Sequence, residues 1–445
     1  MAMGRFLKIW GGCRMRRKDF LPFLGMALIA AMPARVSAQQ ITDEAQRLYQ
    51  DHNRSVVQIQ VIDLATGKKT SIGSGFQFSP QGHIATNFHV VSEAVHAPSR
   101  FRVDYVRHDG AAGEVVLLDI DVVHDLAILQ SQDSPQGYLP LGESHLLKGT
   151  RLFAMGNPFD LGMSIMEGIY NGLMEDSLYK KILFSGSLNP GMSGGPAINR
   201  EGQVIGINVS TAGNEVSFLV PVEHLKELYD HVLTQPPLKR REWKTYINQQ
   251  LTQNQEGYMG KLLASVWDTL KVGEANVPGE ILKVFKCWGK SEDKEEELYN
   301  YAYINCSTND NIFLSPGLST GQIFYQYYWM TSKGLNPIRF YHLYEQHFQY
   351  PHPYENARDK EDVTNFQCDN DFVRVDRRDM KVLWCARSYK KYPELYDINL
   401  SMALVDQKDR GLLVELVALG VGRKNAVDFA RKFMKEITWR SSLLK

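Results

Sequence analysis

The hexapeptide Gly191-Met192-Ser193-Gly194-Gly195-Pro196 constrains this 445-residue chain more than any other segment. A serine between glycines sits where the backbone can take dihedrals closed to other residues, so its hydroxyl can stand exposed at a tight turn. The amide N–H groups of Gly191 and Ser193 then turn toward one point, which would hold a developing oxyanion. A serine hydroxyl is a poor nucleophile at neutral pH. The turn is chemically useful only if a histidine takes its proton and a carboxylate holds that histidine's tautomer.

Both partners have candidates upstream. Residues 73–91, GSGFQFSPQGHIATNFHVV, alternate apolar and polar residues, turn at Ser79-Pro80-Gln81-Gly82, and resume as a strand that delivers His89 at the end of a β-hairpin. Ile120 and Asp121 then lead into Val122-Val123-His124-Asp125-Leu126-Ala127-Ile128-Leu129. Asp125 is the expected orienting carboxylate. The neighbouring His124 is expected to be solvated, because adjacent residues on a strand point to opposite faces. His342, His347 and His352 recur at a spacing that fits neither a helical nor a strand face, so no metal site is expected, and no cofactor is called for.

These three blocks, in the order His, Asp, Ser, resemble the HtrA/Deg group of bacterial trypsin-like serine proteases over residues 40–233. Three further stretches carry the same resemblance: Leu152 to Phe159, Leu188-Asn189-Pro190, and Gly202 to Asn208. The resemblance implies a mainly β catalytic domain, a chymotrypsin-like double β-barrel, with His89, Asp125 and Ser193 as catalytic triad. Gly191 and Ser193 would form the oxyanion hole. Met192 departs from the asparagine usual in the family, which implies altered loop packing with the chemistry kept. The pocket for the residue before the cut would have Ser187 at its base and Asn208, Val209 and Ser210 on its opposite wall. None of these is charged, so apolar or small side chains are expected there. The alternative is that Ser187 merely packs.

Length and composition agree with an exported enzyme of more than one domain. A 445-residue chain exceeds one ordinary domain, and 44% hydrophobic residues support a real core. With 50 basic and 50 acidic residues the net charge is +0, so nucleic-acid binding is not expected. Arg14, Arg16, Arg17 and Lys18 precede an apolar run from Phe20 to Ala34, followed by Val36-Ser37-Ala38, the pattern of a removed signal peptide over 1–38. A retained anchor is the alternative; the run is short for a bilayer and contains prolines. The expected location is periplasmic or secreted, with no stable membrane insertion after cleavage. Four cysteines remain beyond Cys13. Pairing by neighbourhood joins Cys287 to Cys306 and Cys368 to Cys385; other connectivities, or four reduced buried thiols, stay open.

The trypsin-like domain is expected over 39–233 and a proline- and charge-rich linker over 234–242. A C-terminal α+β domain of unknown role would then occupy 243–445. Residues 243–271 read as mostly helical, and the tyrosine- and phenylalanine-rich stretch 300–355 as a core or a recognition face. Ile398, Leu400, Met402 and Leu404 alternate as a half-buried strand, Asp406 to Gly411 turns into Leu412 to Leu419, and Ala426, Phe429, Ala430, Phe433 and Ile437 recur at helical spacing. The family's peptide-binding PDZ modules have no recognisable counterpart, so its trimeric state is not carried over. Two function classes follow: an exported endopeptidase acting on protein or peptide substrates in the periplasm, misfolded ones included, or a partner-binding protein whose protease fold is latent.

Overall fold

The computed structural model describes residues 38–213, 216–235, 242–293, 296–348, 356–357 and 361–439. The signal-peptide expectation lies outside these apart from Ala38, as do Cys13, His352 and residues 236–241 of the expected linker. After α1 (Ala38–His52) come β1 (Val56–Asp63), β2 (Lys68–Gln77), β3 (His83–Thr86), α2 (Phe88–His96), β4 (Phe101–Val106), β5 (Ala112–Asp121) and β6 (Leu126–Ser131). These strands close into an antiparallel barrel in the order β1-β2-β3-β6-β5-β4. A second closed barrel is made by β7 (Arg151–Gly156), β8 (Ser164–Leu173), β9 (Ile182–Ser185), β10 (Pro196–Ile198), β11 (Val204–Gly213) and β12 (Val216–Pro221), ordered β10-β11-β12-β9-β8-β7. The expected double barrel is the observed fold.

Period-two patterning decides what each strand faces. Along β7, Leu152 and Ala154 fill the second barrel, while Phe153 and Met155 point into the core between the barrels, where they meet Val56, Phe76 and Ile128. Register shifts at Leu117/Asp119 and Asn208/Ser210 bend the strands where a closed sheet must turn.

Beyond the barrels follow α3 (Val222–Thr234), α4 (Trp243–Ala264), β13 (Thr269–Val272), β14 (Ala275–Pro278), β15 (Lys286–Glu292), β16 (Tyr299–Ser307), β17 (Ile312–Ser315), β18 (Leu318–Thr320), β19 (Ile323–Ser332), α5 (Pro337–His347), β20 (Gln367–Val375), β21 (Arg378–Ser388), β22 (Leu395–Leu404), β23 (Arg410–Gly422), α6 (Arg423–Lys435) and β24 (Thr438–Trp439). The helix expected over 243–271 is shorter: α4 stops at Ala264, the Trp267 indole donates to the Leu262 carbonyl, and 269–272 pairs with β14. Gly273, at φ +57°, supplies the left-handed residue that this two-residue hairpin needs.

Seven of these strands form one antiparallel sheet in the order β15-β16-β19-β23-β22-β21-β20. Disulfides join Cys287 to Cys306 across β15 and β16, and Cys368 to Cys385 across β20 and β21, so each edge strand is stapled to its neighbour. One face of the sheet carries Tyr325, Tyr327, Ile398, Leu400, Met402 and Val414 against Phe429 and Phe433 of α6. Strand β22 is not half-buried as its alternation predicts. Its opposite face is covered as well, with Asn399 and Ser401 buried, because Asn399 donates to Glu415 and the Ser401 hydroxyl donates to Asn399. The aromatic stretch is also split by the pleat: Tyr325 and Tyr327 are core, whereas Tyr301 and Tyr328 stack on the other face at 5.0 Å. Since Phe433 is fully buried, Phe433→Ala is expected to cost about 3–5 kcal/mol, read as a lower unfolding midpoint.

Candidate active site

The segment after β3 leaves the sheet earlier than the alternation predicts. Strand β3 ends at Thr86, and His89 lies in the first turn of α2 rather than on a strand. A helix start exposes backbone N–H groups that need acceptors, and one residue supplies them. The Asp125 carbonyl accepts from the Phe88 N–H (3.2 Å) and from the Asn87 side-chain amide (2.8 Å). Its carboxylate accepts the His89 N–H through Oδ1 at 2.8 Å and the His89 ring through Nδ1 to Oδ2 at 2.6 Å. Holding the proton on Nδ1 leaves Nε2 as the acceptor. Asp125 reaches this position in a left-handed conformation, φ 59°, which an Asp tolerates better than most residues.

Burial pushes the His89 imidazole down, but the charge of Asp125 and its hydrogen bond together outweigh it and leave the histidine above its ordinary value. His124 is not solvated as expected. Residues 122–125 form a turn ahead of β6, so the strand-alternation premise fails there. Its Nδ1 is 2.6 Å from Asp121 Oδ2, and its ring stacks on His224 at 3.6 Å between centroids.

The serine turn is held by contacts that only glycine permits. Gly191 and Gly194 have φ of +97° and +86°. A Cβ at Gly194 would stand 2.2 Å from the Ser74 carbonyl oxygen, and one at Gly191 2.4 Å from that of Asn157. The Pro190 carbonyl accepts from Phe159 N–H at 2.8 Å, and the Met192 carbonyl accepts from Gly195 N–H at 3.1 Å and the Asn208 amide at 3.3 Å. In a trans peptide the N–H points opposite the carbonyl. Anchoring those two carbonyls therefore directs the N–H groups of Gly191 and Ser193 the other way. The side chain of Met192 is fully buried among Leu152, Ala154, Leu188, Ala197 and Ile205, so the residue that departs from the family fills the second barrel's core.

Ser74, to which the sequence reading assigned no role, ties this turn to the first barrel. Its hydroxyl donates to the Gly191 carbonyl at 2.7 Å and accepts from Asn157 N–H at 2.9 Å, while its own N–H donates to the Ser193 carbonyl at 2.7 Å. Its flanking glycines, Gly73 and Gly75, were the available signal. At Gly73 an added Cβ would meet Val90 at 2.6 Å and the Ser193 carbonyl at 3.1 Å, so the turn and α2 close on the same backbone.

The structure brings His89 and Asp125 into direct contact. The Ser193 hydroxyl here donates to the Val209 carbonyl at 3.3 Å. Val209 falls in the bulge between Asn208 and Ser210, which takes it out of register with β12. Among the pocket residues read from sequence, Ser187 is exposed. Asn208 is fully buried and gives its amide to the Met155 and Met192 carbonyls. Val209 lines a cavity of about 200 Å³ with His89 and Asp125, and the Ser210 side chain lies outside the described residues.

Residues 73–207 match the family model described as trypsin-like peptidase domain. The chain is 33% identical over 250 residues to "Protease Do-like 1, chloroplastic" of Arabidopsis thaliana, covering 47% of this chain and 54% of that protein. It is 32% identical over 177 residues to the "Probable periplasmic serine endoprotease DegP-like" of Chlamydia pneumoniae, covering 37% and 35%. The chain thus spans about half or less of the length of these relatives. Among solved structures, Deg5 aligns over 45% of this chain and 97% of its own, at 26% identity and a TM-score of 0.39. The Yersinia pestis serine endoprotease aligns over 43% and 68%, at 24% identity and 0.37. The barrel part of the chain thus contains a match to a trypsin-like peptidase domain and is similar to serine proteases of the HtrA/Deg type.

Proposed function

We propose that the chain is an exported serine endopeptidase, and that the observation carrying this reading is Asp125 gripping both the ring and the backbone of His89. In this reading the Ser193 hydroxyl leaves the Val209 carbonyl, gives its proton to His89 Nε2 and attacks a substrate carbonyl. Asp125 steadies the imidazolium, the N–H groups of Gly191 and Ser193 hold the oxyanion, and His89 returns the proton to the leaving amine. Water, deprotonated by the same imidazole, then releases the acyl group. Residues 39–233 carry this chemistry, and 243–445 form the second domain.

Two disulfides suit an oxidising compartment. Relatives named periplasmic point the same way, so the proposed substrates are periplasmic polypeptides, misfolded ones included. No helix of the described residues is long and apolar enough to cross a membrane. The test is labelling of the purified protein with a fluorophosphonate: a Ser193-dependent adduct, absent from Ser193→Ala, is expected. No adduct on the wild type under any condition overturns the reading.

The raised imidazole sets a pH dependence. His89 acts as base only when unprotonated, and a raised pKa keeps its proton on to higher pH. The acid limb of kcat/KM is expected above pH 6.5, the ordinary histidine value, and activity should fall as pH drops through it. Asp125→Asn should move the His89 titration, followed by NMR, to lower pH.

A further inference from the structure

The cavity beside His89 is bordered on one side by residues from outside the two barrels. Its walls include Val122, Asp125, Tyr179 and Val209 from the barrel part, and Phe313 from strand β17. The hairpin β17–β18 is fastened at several points. Ile312, Leu314 and Leu318 enter the same core as Phe88, Val91 and Val95 of α2. His96 Nε2 donates to the Leu314 carbonyl at 2.7 Å. At the hairpin's root, the buried Asp310 carboxylate accepts from the Ser177 hydroxyl (2.9 Å) and the Leu178 N–H (2.8 Å), both on the loop between β8 and β9. The hairpin is therefore pinned to both barrels across the cleft.

The pleat then decides where Phe313 points. Ile312 and Leu314 are buried below the hairpin, and the half-buried Phe313 between them reaches from the edge of that core to the cavity. The Phe313 ring lies edge-on to His89 at 5.9 Å between centroids and 72° between planes, and 6.4 Å from Phe88. An apolar cavity of about 150 Å³ takes a benzene ring. The 200 Å³ here, walled by four valines, Ile312 and Phe313 and bordered by Lys180 and Lys181, thus has room for one large side chain.

We propose that Phe313, supplied by the C-terminal region, is a specificity-determining residue that walls the subsite for the substrate side chain immediately before the residue whose carbonyl is attacked. The inference rests on the catalytic reading above. An extended substrate running along the strand that carries Val209 sends alternate side chains to opposite sides. If the residue at the cut enters the pocket between Ser187 and β11, its predecessor turns toward the imidazole and into this cavity. Its walls select a bulky apolar side chain there. Removing Phe313 opens one side to water and takes away the contacts that reward size.

The test uses the full-length mature protein and two matched peptide series that differ only at that position, one with leucine or phenylalanine and one with glycine. Wild type is expected to prefer the bulky residue by about tenfold or more in kcat/KM. In Phe313→Ala the ratio should collapse toward one, and Phe313→Leu should recover most of it. The ratio is internal to each variant, so a partial loss of overall rate or folding does not enter it. An unchanged ratio in Phe313→Ala, or no preference in the wild type, overturns the proposal while fluorophosphonate labelling of wild-type Ser193 still upholds the catalytic reading. Absence of that labelling sinks the catalytic reading, and this proposal with it.

Discussion

Ser193→Ala is expected to lower kcat/KM on an unfolded protein such as casein by on the order of 10⁴-fold or more. His89→Ala should cost about as much. The double variant should be no worse than either single one, because the two side chains act as one unit: without the base the hydroxyl is a poor nucleophile, and without the hydroxyl the base has nothing to activate. The measurement is the initial rate of casein digestion by protein matched in folded concentration. Equal rates for wild type and Ser193→Ala would place any proteolysis elsewhere. The geometry that makes this expectation sharp is local. Asp125 takes the His89 backbone N–H with one carboxylate oxygen and the imidazole with the other, so the ring cannot flip without losing its Oδ2 bond while its own backbone stays fixed at the start of α2.

The second large effect lies in the C-terminal sheet. Asp397 is fully buried on β22 and pairs with Arg387, itself 5% exposed, at 2.8 Å. The carboxylate also accepts from the Tyr389 hydroxyl, the Gly420 N–H and the Asn356 side-chain amide. Each carboxylate oxygen thereby accepts at least two hydrogen bonds, from donors of which only Asn356 is partly exposed. Asp397→Ala leaves a guanidinium buried without its counter-charge, which costs about 3–5 kcal/mol. Thermal unfolding should show the loss as a lower midpoint, accompanied by early exposure of the buried tyrosines around Tyr389. A change below about 1 kcal/mol would mean that water reaches this ion pair as it does at a surface. Since Tyr389 shares a core with Ile312 and Leu314, the same substitution should also loosen the hairpin that carries Phe313.

Elements whose physics is local were readable along the chain. The double barrel was implied by the resemblance to HtrA/Deg proteases, whereas the hairpin β22–β23 followed from its polar turn and α6 from apolar residues at helical spacing, since these two need only near neighbours in sequence to declare themselves. Where a turn or a contact from farther along the chain intervened, the structure departs from the pattern. The turn at 122–125 broke the alternation on which His124 was judged. The polar residues Asn399 and Ser401 were buried by a hydrogen-bonded partner on β23. The helix after Trp243 yielded to a glycine turn that lets β13 pair with β14. Ser74 is flanked by two glycines that signal a close approach, but a serine in a strand does not say which carbonyl it will meet more than a hundred residues away.

Residue types and their order are enough to specify the chemistry available to this protein: one serine in a turn that only glycines can make, together with a histidine and an aspartate of the kinds that could serve it. Where those groups stand is set by the folded chain. It placed Asp125 under the start of α2, the carbonyls of Pro190 and Met192 inward, and a phenylalanine from beyond the barrels against the imidazole. Side-chain chemistry belongs to each residue alone, whereas distance and direction depend on closing long loops, and no local pattern encodes that closure.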